Sequence, residues 1–262
     1  MDLGLRGSTA LVTGASAGIG QAVARALAAE GAEVAMVARR ADGLERAADQ
    51  IARSVGSRPR TFAADIGNAV QCPEVVNRAA QALGGIDILV NSVPAPIFGS
   101  FLTHGDEAWE EAMRLKFHAY VRTIRAAVPY LSRSGHGVIV NIIGVGGKAP
   151  VLDHLAGGAA NAALTLLTTG LAKELGSLRV RVVGVSPGAT RTERFRQLTS
   201  HLADTEHEVI GDFERQLLDA TPTGSLPEPE DIANIVTFLA SARARQVNGT
   251  TVTVDGGGMP TI

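Results

Sequence analysis

Tyrosine, lysine and cysteine are all scarce in this chain of 262 residues. There are two tyrosines and one cysteine, and lysine stands only at positions 116, 148 and 173. The lone Cys72 excludes an intramolecular disulfide and any site built from several thiolates, which fits a reducing compartment. An excess of one charge is missing too. A formal net charge of −2 and a pI near 6.3 give no basic face for nucleic acid or anionic lipid. No run approaches the ~18 uninterrupted apolar residues of a membrane span. Met1–Ser8 carries Asp2 and Arg6 where a signal peptide would need an apolar core. The expectation is a soluble cytoplasmic protein with neither nucleic acid nor membrane as partner.

What the chain does have is small and apolar residues: it is 45% hydrophobic, with 30 glycines. That excludes disorder and supports a sizeable core. Short β-branched runs lie at Thr9–Val12, Glu33–Val37, Arg60–Ala63, Ile86–Val90, Val138–Ile142, Arg179–Val185 and Thr250–Val254. Helical stretches alternate with them at Ile19–Glu30, Leu44–Ser54, Pro73–Leu83, Glu107–Leu131, Asn161–Leu175 and Pro229–Ala240. Several strands are apolar on both faces, as parallel strands covered by helices are. The alternation predicts a single doubly wound α/β domain over 1–262. Only 191–227 breaks the rhythm, with His201, Asp204, Glu206, His207 and Glu208 close together. It is read as a substrate lid or as a solvated helical excursion. Its acids and histidines lack ligand spacing, so no metal site is expected.

The first strand runs into Thr13-Gly14-Ala15-Ser16-Ala17-Gly18-Ile19-Gly20 and then a helix. Gly14 suits a tight turn, Gly18 a close approach of backbone to pyrophosphate, and Gly20 close packing of helix on strand. The helix N-terminus adds free N–H groups and the positive end of its dipole. In this strand–turn–helix context the glycine spacing is a strong dinucleotide signal. The second strand ends in Arg39-Arg40, with no acid to hold a ribose 2′-hydroxyl. A guanidinium there suits a 2′-phosphate, which favours NADP(H) over NAD(H).

These residues resemble the short-chain dehydrogenase/reductase (SDR) superfamily, whose nucleotide motif is TGxxxGxG. The likeness runs nearly end to end. Asp65 and Ile66 follow the third strand, where the family contacts adenine. Asp87-Ile88-Leu89-Val90-Asn91 resembles its fourth strand. Ser186-Pro187-Gly188 and then Thr192 resemble the loop that holds the nicotinamide carboxamide, and Val247 to Gly257 its C-terminal strand. The resemblance implies a Rossmann-type sheet of seven parallel strands in the order 3-2-1-4-5-6-7. It implies nucleotide contacts from Thr13, Gly14, Ser16, Gly18, Ile19, Gly20, Arg39, Arg40, Asp65, Ile66, Asn91, Pro187, Gly188 and Thr192. It also implies a homodimer or homotetramer through the helix over 159–175, which is apolar on nearly every side.

The family's chemistry implies a Tyr hydroxyl that exchanges a proton with the substrate oxygen. A Lys four residues on, an orienting Ser and an Asn in the preceding helix complete the set. An unperturbed phenol near pKa ~10 is a poor base at neutral pH without a nearby cation. Aligned on the fifth strand, the Ser position falls on Gly144, the Tyr position on Gly157 and the Lys position on Asn161. The Asn position falls on Lys116. Independently of alignment, no Tyr-x-x-x-Lys occurs anywhere in the chain. The loop after the fourth strand also departs from the family, reading Asn91-Ser92-Val93-Pro94 where the family has Asn-Asn-Ala-Gly.

Substitutes are few. Lys116 and Tyr120 stand four apart and share a helix face. Their order is reversed, and a surface lysine beside a packed tyrosine is the plainer reading. His154 could serve as an acid or base, against the plainer reading of an exposed loop histidine. Lys148 sits in a flexible Gly-rich loop. The two glycines would leave a roomier, less polar site, unless neighbours such as Ile143 fill it. Three functions follow: an NADP(H)-dependent oxidoreductase with ordinary Tyr/Lys turnover absent or weak, a nucleotide-binding sensor or partner subunit, and a lyase or isomerase that reuses the cleft.

Overall fold

Seven strands form one parallel sheet in the order β3-β2-β1-β4-β5-β6-β7. They are β1 (Thr9–Thr13), β2 (Glu33–Ala38), β3 (Arg60–Ala63), β4 (Ile88–Asn91), β5 (Val138–Ile142), β6 (Arg181–Pro187) and β7 (Thr251–Val254). This computed structural model describes residues 1–193, 195 and 210–259. The helices are α1 (Gly18–Ala29), α2 (Ala41–Val55), α3 (Gln71–Leu83), α4 (Asp106–Ala112), α5 (Ala119–Ser134), α6 (Leu155–Glu174), α7 (Ile210–Asp219) and α8 (Pro229–Ala240).

Residues of β1, β4, β5 and β6 are buried on both faces, so each strand contributes to two cores. One core joins α1, α2 and α8 to the sheet through Val23, Leu27, Leu44, Ile51, Ile232 and Val236. The other joins α3, α5 and α6 through Val75, Val76, Ile124, Leu131, Leu164 and Leu175. Each fully buried aliphatic side chain stabilises by roughly 1.5–3 kcal/mol relative to exposure. The carboxyl ends of β1 and β4 lie side by side, where the strand order reverses and an open α/β sheet forms its ligand crevice.

Three departures from the sequence expectation bear on the site, beyond shifts of a few residues at other element ends. Arg179 adopts a left-handed conformation, so β6 begins at Arg181. The stretch 107–131 is interrupted between α4 and α5 by a π-helical turn, Met113–His118, a wider turn often found at functional sites. Helix α6 begins at Leu155, six residues before Asn161, and takes in Gly157 and Gly158. Glycine has poor helix propensity. Close packing overrides that propensity, since a Cβ at Gly158 would lie 2.9 Å from the Gly146 carbonyl oxygen.

Leu152–Leu178 is long and apolar enough, by length and composition, to cross a membrane. Here it packs on β6 and buries Leu164, Thr168 and Ala172 in the core. Within 191–227, Arg191 pairs with Glu214 on α7 at 3.0 Å, and its N–H donates to the Pro227 carbonyl. His201, Asp204, Glu206, His207 and Glu208 lie outside the described residues.

Candidate active site

The glycine turn at the end of β1 is closed from above and below. Gly14 has φ +64, and a Cβ there would stand 2.5 Å from the Ser92 carbonyl oxygen. A Cβ at Gly20 would collide with the Gly14 carbonyl. Thr13 is buried and its hydroxyl accepts the Ser92 N–H at 3.1 Å, tying the turn to the loop after β4. The Thr192 methyl lies 3.2 Å from where a Gly18 Cβ would be. The loop after β6 therefore meets the phosphate turn. Gly188 and Pro187 are fixed beside β7, with Gly188 N–H donating to the Val254 carbonyl at 3.0 Å. Ser16 is half-buried, and Ile19 packs against the first core.

Arg39 and Arg40 are exposed at the end of β2, with Arg40 capping α2. Asp65 accepts the Gly67 N–H at 2.9 Å and pairs with Arg114 at 3.2 Å. Arg114 also forks onto Glu111, whose carboxyl those hydrogen bonds hold below the usual carboxylate range. Ile66 is buried. Asn91 differs from the other predicted contacts. Its side chain is fully buried, donating to Asn141 at 3.1 Å and accepting from Thr123 at 2.7 Å, so only its backbone can face the crevice. A tight glycine turn, a helix N-terminus and flanking loops from β4 and β6 fit a dinucleotide.

Beyond this turn lie the four positions that the resemblance aligns with the family's acid–base group. Lys116 is not a surface residue. It is buried within the π-helical turn, and its amine donates to the Ile142 carbonyl at 2.8 Å, the Val93 carbonyl at 3.1 Å and Tyr120 Oη at 3.2 Å. Tyr120 is completely buried and its hydroxyl reaches the same two carbonyls at 3.1 and 2.9 Å. Burial pushes this phenol well above its ordinary range, against a smaller opposing effect of the Val93 hydrogen bond. Lysine and tyrosine thus bolt the loop just after β4 to the last residue of β5, two strands that pair in register.

The two glycine positions are not roomy. A Cβ at Gly157 would overlap the imidazole of His154, which is half-buried rather than an exposed loop residue. His154 Nδ1 lies 2.9 Å from the Ile97 carbonyl, and its ring stacks on Phe98 with centroids 4.6 Å apart. Gly144 has φ +133, and a Cβ there would stand 2.9 Å from Asn161 Nδ2. Of the two expectations, a roomier space or one filled by neighbours, filling is what the structure shows, by His154 and Asn161 rather than by Ile143, which sits in the core. Asn161 Oδ1 and Ser186 Oγ are buried without a hydrogen-bond partner among the described residues. Lys148 is exposed and donates to Thr253 at 2.9 Å.

Residues 14–258 match a family model described as enoyl-(acyl carrier protein) reductase. The chain is 31% identical to 2,3-dihydro-2,3-dihydroxybenzoate dehydrogenase from Bacillus subtilis (strain 168), over 97% of each chain. The chain belongs to the short-chain dehydrogenase/reductase superfamily. L-sorbose reductase from Gluconobacter frateurii, solved with NADPH and L-sorbose, superposes on this SDR chain with a TM-score of 0.94, at 30% identity over 100% of each chain. A 7α-hydroxysteroid dehydrogenase solved with NADH and 7-oxo glycochenodeoxycholic acid superposes with a TM-score of 0.90, at 29% identity over 98% of this chain and 96% of that one. SDR relatives thus use either nicotinamide nucleotide, and by family this chain is an oxidoreductase with a Rossmann-type nucleotide site.

Sequence reasoning missed two features of this SDR site. The Lys116–Tyr120 spacing was visible, but their burial depends on the π-helical turn, which leaves no sequence signature. The filling of position 157 by His154 depends on a tertiary contact with Ile97 and Phe98.

Proposed function

We propose that this SDR protein binds NADP(H) in preference to NAD(H) and that ordinary Tyr/Lys carbonyl–alcohol redox turnover is absent or weak. The observation that carries the reading is the absence of any Tyr-x-x-x-Lys pair, with Gly157 and Asn161 at the aligned positions. Tyr120 does not replace the missing phenol, because its hydroxyl is spent on two backbone carbonyls away from solvent. When bound, a nicotinamide nucleotide supplies hydride chemistry. The residues of this chain supply the phosphate turn, the loops that close on it, and Arg39 and Arg40 for a 2′-phosphate.

Calorimetry with NADP+ and NAD+ tests the nucleotide reading. Arg39→Ala is expected to weaken NADP+ binding by about 10- to 100-fold, the loss of one charge-assisted hydrogen-bonded contact, with NAD+ binding unchanged. Equal affinities in the parent, or no effect of the substitution, overturn the preference. NADPH oxidation with a broad panel of simple ketones at rates typical of the family overturns the weak-turnover reading. We further propose that the protein is cytoplasmic. We also propose that it forms a homodimer or homotetramer through α6, where Leu166 is 77% exposed. Leu166→Glu should reduce the mass measured by light scattering.

A further inference from the structure

His154 Nδ1 faces a backbone carbonyl, which can only accept, so Nδ1 carries a proton whatever the charge of the ring. The proton that comes and goes is therefore the one on Nε2. Nε2 and Cε1 are the ring atoms that a Cβ at Gly157 would overlap, so the exchangeable proton stands at the root of the position aligned with the family's tyrosine. Two contacts hold the ring there, and a third ties its loop to the neighbouring one. Ile97 fixes Nδ1, Phe98 stacks on one face at an interplanar angle of 22°, and the Gly99 N–H donates to the Asp153 carbonyl at 2.8 Å.

We propose that His154 is the catalytic acid–base residue of this site, acting through Nε2. The inference rests on the nucleotide-binding reading above and deepens it. Three other titratable side chains near this end of the sheet are unsuited: Tyr120 is sealed, Lys116 is engaged with carbonyls, and Lys148 points to Thr253. The step is a carbonyl reduction. The substrate carbon accepts hydride from a reduced nicotinamide nucleotide, which leaves oxidised, and the C=O π pair moves to oxygen. That oxygen takes the proton from imidazolium Nε2 as the N–H bond breaks and the O–H bond forms. The neutral imidazole regains a proton from water.

Gly144 offers no hydroxyl to polarise the substrate, so the substrate must carry its own activation. A 1,2-dicarbonyl does so, because each carbonyl withdraws electrons from the other. Phe98, Phe101 and Leu152 are exposed on the two loops beside His154, which suits an aryl-substituted dicarbonyl.

Two measurements test this. In the NMR spectrum, the imidazole Cε1–H resonance that disappears in His154→Ala should shift on titration with NADP+. It should stay still with adenosine 2′,5′-bisphosphate, which lacks the nicotinamide. With 1-phenyl-1,2-propanedione as probe, His154→Ala should lower the NADPH oxidation rate by about 10²–10⁴-fold. Added imidazole should restore part of that rate in His154→Ala but not in His154→Phe, whose ring fills the gap without a proton. An equal shift with both nucleotides, full activity in His154→Ala, or no rescue by imidazole overturns the assignment. Binding of NADP(H) without turnover of the dicarbonyl also overturns it, leaving the nucleotide site standing. Failure to bind NADP(H) at all overturns the nucleotide reading itself.

Discussion

Tyr120→Phe perturbs the bolt between β4 and β5 with little else changed. The ring is fully buried, so the substitution keeps its packing and deletes one hydroxyl. That hydroxyl has a single proton and serves one of its two carbonyls at a time, at 2.9 or 3.1 Å. Its loss removes a neutral hydrogen bond worth about 1 kcal/mol net. It also removes an acceptor of the Lys116 amine, worth about 1.5–3 kcal/mol if the amine is charged. Neither carbonyl is orphaned, because Lys116 still reaches both. The expected destabilisation is therefore about 2.5–4 kcal/mol. For a chain of this size that lowers the melting temperature by roughly 5–16 °C. Urea denaturation should show a lower midpoint with an unchanged slope. Lys116→Met combined with Tyr120→Phe should show a coupling energy of at least ~1 kcal/mol, since the two share both acceptors. A Tyr120→Phe midpoint matching the parent, or strictly additive effects in the double mutant, refutes the bolt.

Two further perturbations follow. Gly157→Ala in a helix interior ordinarily gains up to ~1 kcal/mol, but here the new methyl meets the His154 ring, and overpacking costs ~1–3 kcal/mol. Net destabilisation is expected in urea melts, largely relieved by adding His154→Ala; a stabilised Gly157→Ala would contradict the contact. Burial pushes the Cys72 thiol up to about 11 from an ordinary value of 9.0, so the folded chain keeps a proton that the unfolded chain releases. That stability is fully present below pH ~9 and is lost at ~1.4 kcal/mol per pH unit as the pH rises towards 11. Cys72→Ala should flatten the fall in urea midpoint across this window; parallel curves for the two proteins would rule the linkage out.

The sheet was legible because its strands are apolar on both faces and its helices repeat Ala and Leu; β3, β5 and α8 match the expected boundaries residue for residue. The phosphate turn was legible because Gly14, Gly18 and Gly20 answer to local geometry, a tight turn and two close approaches. The rest of the site depends on contacts between distant segments. Nothing in the spacing of Lys116 and Tyr120 announces that a π-helical turn draws both beneath the sheet ends. Nothing near His154 announces that Ile97, 57 residues away, turns its ring over Gly157. Asn91 shows the converse: the motif sets it at the end of β4, yet the buried chain from Thr123 through Asn91 and Asn141 to Thr168 engages its side chain inside the fold.

The backbone at Gly144 and the ring over Gly157 bear on which sequences are reachable from this one. A serine at 144 would have to adopt φ +133, outside the usual range of a residue with a side chain, and would crowd Asn161. A tyrosine at 157 would have to evict His154, which in turn anchors the loop at Ile97 and Phe98. Each reversion alone costs stability, and a tyrosine without its lysine is a weak acid–base group. The path back towards the family's usual chemistry therefore needs several changes at once. In sequence space this site works as a ratchet, easier to hold in its present packing than to turn back to a tyrosine.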